Sequence, residues 1–216
     1  MMENPQVRRS IYRRFVKRIL DVTAGFLILI FICPVLLLIY AILRIMIGSP
    51  VMLQQKRAGF MGRTFIIHKF RTMTEERDAK GSLLPDEQRI TKIGGILRSF
   101  SLDELPELIN VLMGEMSLIG PRPLHVRYLE RYSREQARRH EVMPGITGWV
   151  QINGRNNLSW EEKFLLDVWY ADHQSFMLDL RILVITIWKV LSREGISQEG
   201  YVAAEEFMGS NRKDSE

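Results

Sequence analysis

Two adjacent carboxylates, Asp103 and Glu104, stand in the segment Ser101-Leu-Asp-Glu-Leu-Pro-Glu-Leu108, at the approach to an apolar helical pattern. Neighbouring acids on a helix diverge by a quarter-turn or more, so the pair does not face across a bond as glycosidase carboxylates do. Two separate roles fit better. At a helix N-terminus both charges are favoured by the macrodipole, and a divalent cation would offset their repulsion of each other and of an incoming phosphate. A purely structural use stands beside this one: Ser101 with Glu104 matches a capping box, and Asp103 is an acceptable N-cap that sets Pro106 in the first turn.

Several basic positions could serve such acids. In Gly120-Pro-Arg-Pro123 two prolines restrict the backbone on either side of Arg122, and an immobilised guanidinium suits phosphate oxygens, although the same sequence also reads as a rigid turn. Met143-Pro-Gly-Ile-Thr-Gly148 and Asn153-Gly-Arg-Asn-Asn157, the latter carrying Arg155, are glycine-containing loops that either cradle a diphosphate or simply turn the chain. Neither has a P-loop or dinucleotide pattern. Lys69, in His68-Lys-Phe-Arg-Thr-Met73, and Arg98 are further candidates for anion contacts, or ordinary solvated charges. The four histidines, His68, His125, His140 and His173, lack tight ligand spacing, which argues against zinc and leaves oxygen-ligated magnesium as the better fit.

The elements that must hold these residues begin at a membrane. The chain has 216 residues, 46% hydrophobic and 25% charged, with a net charge of +5, which indicates a folded domain with anionic partners. Its single cysteine, Cys33, excludes an intrachain disulfide. From Arg8 to Asp21 the apolar stripe Ile11, Phe15, Ile19, with Tyr12, Val16 and Leu20 beside it, predicts a basic amphipathic helix carrying Arg9, Arg13 and Lys17 on its polar positions. Val22 to Leu43 then carries no formal charge, and as helix would extend roughly 33 Å against a hydrocarbon core of roughly 30 Å. Both flanks are basic, and basic flanks tend to remain in the cytoplasm; if both ends stay there, the segment must enter and return. Pro34, after Cys33, supplies a turning point, so a re-entrant helix-break-helix is expected, with a kinked spanning helix as the alternative.

Beyond the membrane, Val51–Gln55 and Thr64–Lys69 predict a hairpin, Thr74–Gln88 a polar stretch of helix and loop, and Ile93–Leu97 and Leu105–Met113 helices flanking the acid pair. Ser159-Trp-Glu-Glu162 has the form of a capping box before another helix. Phe176–Leu191 is apolar but interrupted by Asp179, Arg181 and Lys189, which predicts a core or interfacial helix. The expected organisation is α+β and predominantly helical: a membrane segment over residues 1–48, a catalytic domain over 49–192 with interfacial helices, and a C-terminal tail over 193–216.

The ordered set of a proline-broken membrane run, Lys69-Phe-Arg-Thr-Met73, Arg98-Ser-Phe-Ser-Leu-Asp-Glu-Leu105, Asn110-Val-Leu-Met-Gly-Glu-Met-Ser117, Gly120-Pro-Arg-Pro-Leu124, Pro144-Gly-Ile-Thr-Gly-Trp149 and Asn153-Gly-Arg-Asn156 resembles the monotopic phosphoglycosyl transferase family in its small membrane form. The resemblance covers about residues 13–207, and it, not local pattern, raises Asp103 and Glu104 to a catalytic pair. It implies that Asp103 attacks the sugar-bearing phosphorus of a UDP-sugar, releasing UMP, and that undecaprenyl phosphate then takes the phosphosugar from the aspartyl intermediate. It further implies Mg²⁺ held in part by Asp103, an assisting Glu104, substrate contacts from Lys69, Arg98, Arg122, Arg155 and Asp167, and residence at the cytoplasmic face of the bacterial plasma membrane. Where the family commonly has Ser-Pro at the membrane break, this chain has Cys33-Pro34, and a thiol is the weaker donor. Nucleic acid is not expected as a partner, and a homodimer is compatible with the exposed apolar surface. The competing readings are a transferase that moves the sugar alone, releasing UDP, and a non-catalytic adaptor for anionic lipid.

Overall fold

The computed structural model describes residues 11–154, 157–192 and 206–209. In chain order the elements are α1 (Lys17–Met46), β1 (Met52–Ala58), β2 (Thr64–Phe70), α2 (Asp86–Arg89), α3 (Lys92–Ser99), α4 (Glu107–Met113), β3 (Ser117–Ile119), α5 (Arg134–Ala137), β4 (Gly145–Thr147), α6 (Trp149–Asn153), α7 (Trp160–His173) and α8 (Phe176–Ser192). The architecture is the helix-rich α+β expected from the sequence. β1 and β2 form an antiparallel hairpin from Met52↔Phe70 to Ala58↔Thr64, and β3 pairs β4 in parallel.

α1 departs from a soluble helix in a telling way. Only 11% of its most apolar window is buried, and Phe31, at 80% exposure, lies in the middle of a bare hydrocarbon surface. A helix that shows apolar side chains all round belongs in lipid. Its two ends, by contrast, pack on the folded body: a Cβ on Gly25 would lie 3.4 Å from Val111 on α4, while Ile39 and Leu43 join a core with Val51, Phe70 and Leu97. The expected break at Cys33-Pro34 is corrected in one respect, since the helix continues from Lys17 to Met46 with Pro34 inside it. Proline removes one backbone donor, and an otherwise apolar helix retains its remaining hydrogen bonds on both sides.

The N-terminal amphipathic segment is also turned the other way from a soluble one. A wide π-helical turn, Tyr12–Val16, leads into α1. Ile11, Phe15 and Ile19 are exposed, whereas Lys17 and Asp21 are buried. The polar stripe faces protein: Arg13 donates to the carbonyls of Asp172 and Gln174, Lys17 pairs with Asp179 at 2.6 Å, and Asp21 accepts the Leu118 N–H at 3.1 Å. α8 continues the pattern, with Met177, Val184, Ile187 and Trp188 exposed while Asp179 and Ile182 are buried. Apolar outside and ionic inside is the arrangement of a surface that meets acyl chains.

The capping box at Ser159 forms as expected, with both the Ser159–Glu162 side-chain and backbone bonds present. The stretch expected to be helix and loop over 74–88 is mostly bridged turn, with helix confined to Asp86–Arg89.

Candidate active site

β2 delivers Lys69, and the turn leading into α4 delivers the acids to meet it. Asn110 fixes the two elements together: it is fully buried, accepts from the His68 N–H and donates to the Ile66 carbonyl at 2.6 Å. Before α4, Ser101 adopts a left-handed backbone (φ 55°), followed by the short 3₁₀ turn Leu102–Glu104 and then Pro106 as the residue before the helix. Ser101 makes no side-chain cap. The capping-box reading of this segment is therefore set aside, because a left-handed Ser101 turns its hydroxyl away from the helix N–H groups that a cap must accept.

The two adjacent acids have opposite fates. Glu104 accepts from Lys69 at 2.7 Å and from both terminal nitrogens of Arg122, Nη1 to Oε2 at 3.3 Å and Nη2 to Oε1. Burial alone would raise its pKa, but Arg122 and Lys69 more than offset this and hold it well below the usual carboxylate range. Asp103, among the described residues, carries no hydrogen bond or ion pair. Burial and the Glu104 charge push its carboxyl up, while Lys69, Arg98 and Arg122 pull it down. It is a carboxylate set in a cationic field with its oxygens uncommitted.

Lys69 has a second partner that the sequence reading did not assign. Glu107, from the same Ser101–Leu108 segment, lies 2.9 Å from the Lys69 ammonium and is buried. Its carboxyl is raised to about 7 by burial first and by the Glu104 charge, against the attraction of Lys69. Spacing could have flagged it, since Glu104 and Glu107 are three residues apart and share a helical face.

Arg122 is held from behind. Arg139 donates to the Arg122 carbonyl at 2.8 Å and grips Asp167 through Nε at 2.9 Å and Nη2 at 2.7 Å. Asp167, expected as a substrate contact, is only 4% exposed and is bonded to Arg139, which in turn bonds the Arg122 carbonyl. Its carboxyl is raised by burial, with Arg139 opposing. Arg139 carried no sequence signal, because a structural arginine 28 positions from its acid has no local pattern.

The glycines expected as part of a phosphate cradle serve another purpose here. A Cβ on Gly145 would sit 2.0 Å from the Gly120 nitrogen, and one on Gly148 2.1 Å from the Gly120 carbonyl oxygen. They permit backbones to touch, so that β4 can clamp the Arg122 turn through Gly120 N–H to Thr147 carbonyl and Gly145 N–H to Pro121 carbonyl bonds. Arg155 lies outside the described residues. Arg98, at the end of α3, contributes to the field on Asp103.

Magnesium is the one cofactor the resemblance implies. Among the described residues no group of three or more His, Cys, Asp or Glu side chains forms a ready-made cage. Mg²⁺ does not require one, since it commonly takes one or two carboxylates and completes its shell with water and substrate phosphate oxygens. The unbonded Asp103 oxygens fit that use.

Together these elements define a transferase site for anionic substrates beside a membrane surface. The family model of bacterial sugar transferases matches residues 12–193. An uncharacterized sugar transferase of Bacillus subtilis, EpsL, is 57% identical over 90% of this chain and 96% of its own length. The UDP-glucose:undecaprenyl-phosphate glucose-1-phosphate transferase of Klebsiella pneumoniae is 40% identical over 80% of this chain but 39% of its own length. The undecaprenyl-phosphate galactose phosphotransferase of Salmonella typhimurium is 34% identical over 90% of this chain and 44% of its own. The chain belongs to the bacterial sugar transferase family, among its phosphoglycosyl transferases. It spans nearly all of EpsL and less than half the length of the two relatives whose substrates are named.

Proposed function

We propose that the protein transfers a sugar 1-phosphate from a UDP-sugar to undecaprenyl phosphate, releasing UMP, at the cytoplasmic face of the plasma membrane, as a first membrane step of polysaccharide assembly. The observation that carries the reading is the division between the acids. Glu104 is neutralised by Lys69 and Arg122, while the neighbouring Asp103 sits in the same field with free oxygens.

An Asp103 oxygen attacks the sugar-bearing phosphorus, the bond from that phosphorus to the bridging oxygen breaks, and UMP leaves with the electron pair. An oxygen of undecaprenyl phosphate then attacks the same phosphorus, and the aspartyl–phosphorus bond breaks to restore the carboxylate. Each step brings one anion, rather than two, to a phosphorus already held by cations. Arg122 and Lys69 hold Glu104 and present their remaining donors to phosphate; Arg98 adds positive field. Mg²⁺ bound at Asp103 and the substrate phosphates would neutralise charge developing on the oxygens.

The packing of both ends of α1 on the same folded body supports a re-entrant anchor, which holds Asp103 at the headgroup level where a lipid phosphate resides. The bare apolar surface of α1 and α8 supports the bilayer as partner.

Two measurements test the reading. Product analysis with UDP-sugar and undecaprenyl phosphate is expected to give UMP; stoichiometric UDP would replace phosphosugar transfer with simple glycosyl transfer. Intact-mass measurement after donor alone is expected to show a phosphosugar adduct that is absent in Asp103→Asn.

A further inference from the structure

Sequence motifs assign no residue of β1 a place in the site, yet β1 carries a guanidinium beside the Arg122 turn. Arg57 stands at the end of β1, where its backbone bridges to His125 and the adjoining Ala58 N–H bonds the Leu124 carbonyl at 3.0 Å. These bonds stitch Arg57 to the residues immediately after the Pro121-Arg122-Pro123 turn. Its side chain is partly buried and steadied by the Gln55 amide oxygen at 2.6 Å. No carboxylate lies within ion-pairing distance of it among the described residues. Burial and the charge of Arg122 both act to lower its pKa, with Glu107 and Glu104 only partly opposing.

Two guanidiniums sharing one partly dried site, one of them without an acid of its own, form a half-built anion site. Its position relative to Asp103 gives the anion an address. Lys69 and Arg122 converge on Glu104, next to Asp103, whereas Arg57, bonded to neither acid among the described residues, is tied by its His125 bridge to the chain just after Arg122. The phosphorus under attack lies against Asp103, and the next phosphate of a nucleoside diphosphate lies one bridging oxygen farther out. We propose that Arg57, with Arg122, binds that outer phosphate, holding the donor in line and receiving the departing nucleoside monophosphate.

The proposal rests on the two-step phosphosugar reading, and its test separates the two. The probe is UMP, titrated into the full chain in lipid nanodiscs, with Arg57→Gln and the charge-retaining Arg57→Lys as variants. Loss of a charge-assisted, two-pronged contact should weaken UMP binding by about 10-fold or more in Arg57→Gln. Arg57→Lys, which keeps the charge and only loses the fork, should fall between. In single-turnover measurements Arg57→Gln should slow formation of the aspartyl adduct but leave its discharge to undecaprenyl phosphate unchanged, a split that general misfolding would not produce. Equal UMP affinity in wild type and Arg57→Gln, or equal slowing of both half-reactions, overturns the assignment of Arg57. Release of UDP by the wild type would overturn the phosphosugar reading itself.

Discussion

Two buried ionic clusters in this protein use similar groups to opposite ends. Beneath the membrane face, Asp179 has both oxygens filled: Oδ1 by the Tyr170 hydroxyl at 2.7 Å, and Oδ2 by Tyr12 at 2.5 Å and Lys17 at 2.6 Å. The cluster pins the start of α1 to α8. At the active site Lys69 and Arg122 fill Glu104, but Asp103 is left over. A closed cluster holds structure together; one with an unbonded carboxylate leaves an acid open, as the proposed role of Asp103 requires. The difference arises from geometry, because Asp179 projects from one long helix against another, whereas Asp103 and Glu104 share a tight turn in which only one can reach the cations.

That contrast can be broken experimentally at either end. The largest effect on turnover is expected at Asp103: Asp103→Asn should lower it by more than about 1,000-fold, read as UMP release, with membrane insertion unchanged. Retained turnover in that variant would make the open carboxylate a bystander. Glu104→Gln should cost less, about 100-fold, because Lys69 and Arg122 lose their anchor but remain as cations; it should also free Lys69 to pair with Glu107 alone, visible as a changed pH dependence of turnover.

The closed cluster should respond in stability rather than chemistry. Asp179→Ala leaves Lys17 buried without a partner and should destabilise the protein by about 3 kcal/mol, measured as a lower unfolding midpoint in detergent. Adduct formation per folded molecule should change little. If instead the adduct rate falls as far as in Glu104→Gln, the two clusters are not separable as supposed.

The smallest effect is expected at His140, behind the Arg122 turn. Burial first, and the charge of Arg139 second, lower its pKa from 6.5 to about 4, despite the bond between its Nδ1 and the Gly59 carbonyl. The unfolded chain takes up this proton first as pH falls. His140 therefore stabilises the fold fully above about pH 6.5 and loses that contribution down to about pH 4, a change on the order of 3 kcal/mol across that window and almost none at neutral pH. Glu107, raised to about 7, titrates in the opposite sense, so the measurable quantity is the difference in pH slope between wild type and His140→Gln thermal melts.

Much of the fold is legible in the residue pattern. The β1–β2 hairpin, the Ser159 capping box and the long apolar run each depend on neighbours within a few positions, and each appears where the pattern places it. The direction of the amphipathic stripe at Ile11, Phe15 and Ile19 is not legible, because periodicity shows that a helix has two faces and says nothing of which one meets protein. The capping-box reading of Ser101 failed because the motif is local, whereas the backbone there is left-handed and makes no side-chain cap.

The sequence by itself determined the chemistry available: an acid pair, a proline-framed arginine, a lysine before it, and a membrane-length apolar segment, in an order that marks the family. Only the tertiary structure decided which acid is free. Asp103 and Glu104 are adjacent and chemically near-identical, and their difference comes from Lys69, 35 positions from Glu104, and Arg122, 18 positions away, converging on one of them. Likewise Asp167, expected to touch substrate, is bonded to Arg139, and Arg57 lies beside the Arg122 turn with no motif to announce it. Charge pairing is decided by distance in space, and chain spacing does not encode that distance beyond a helical turn or a hairpin.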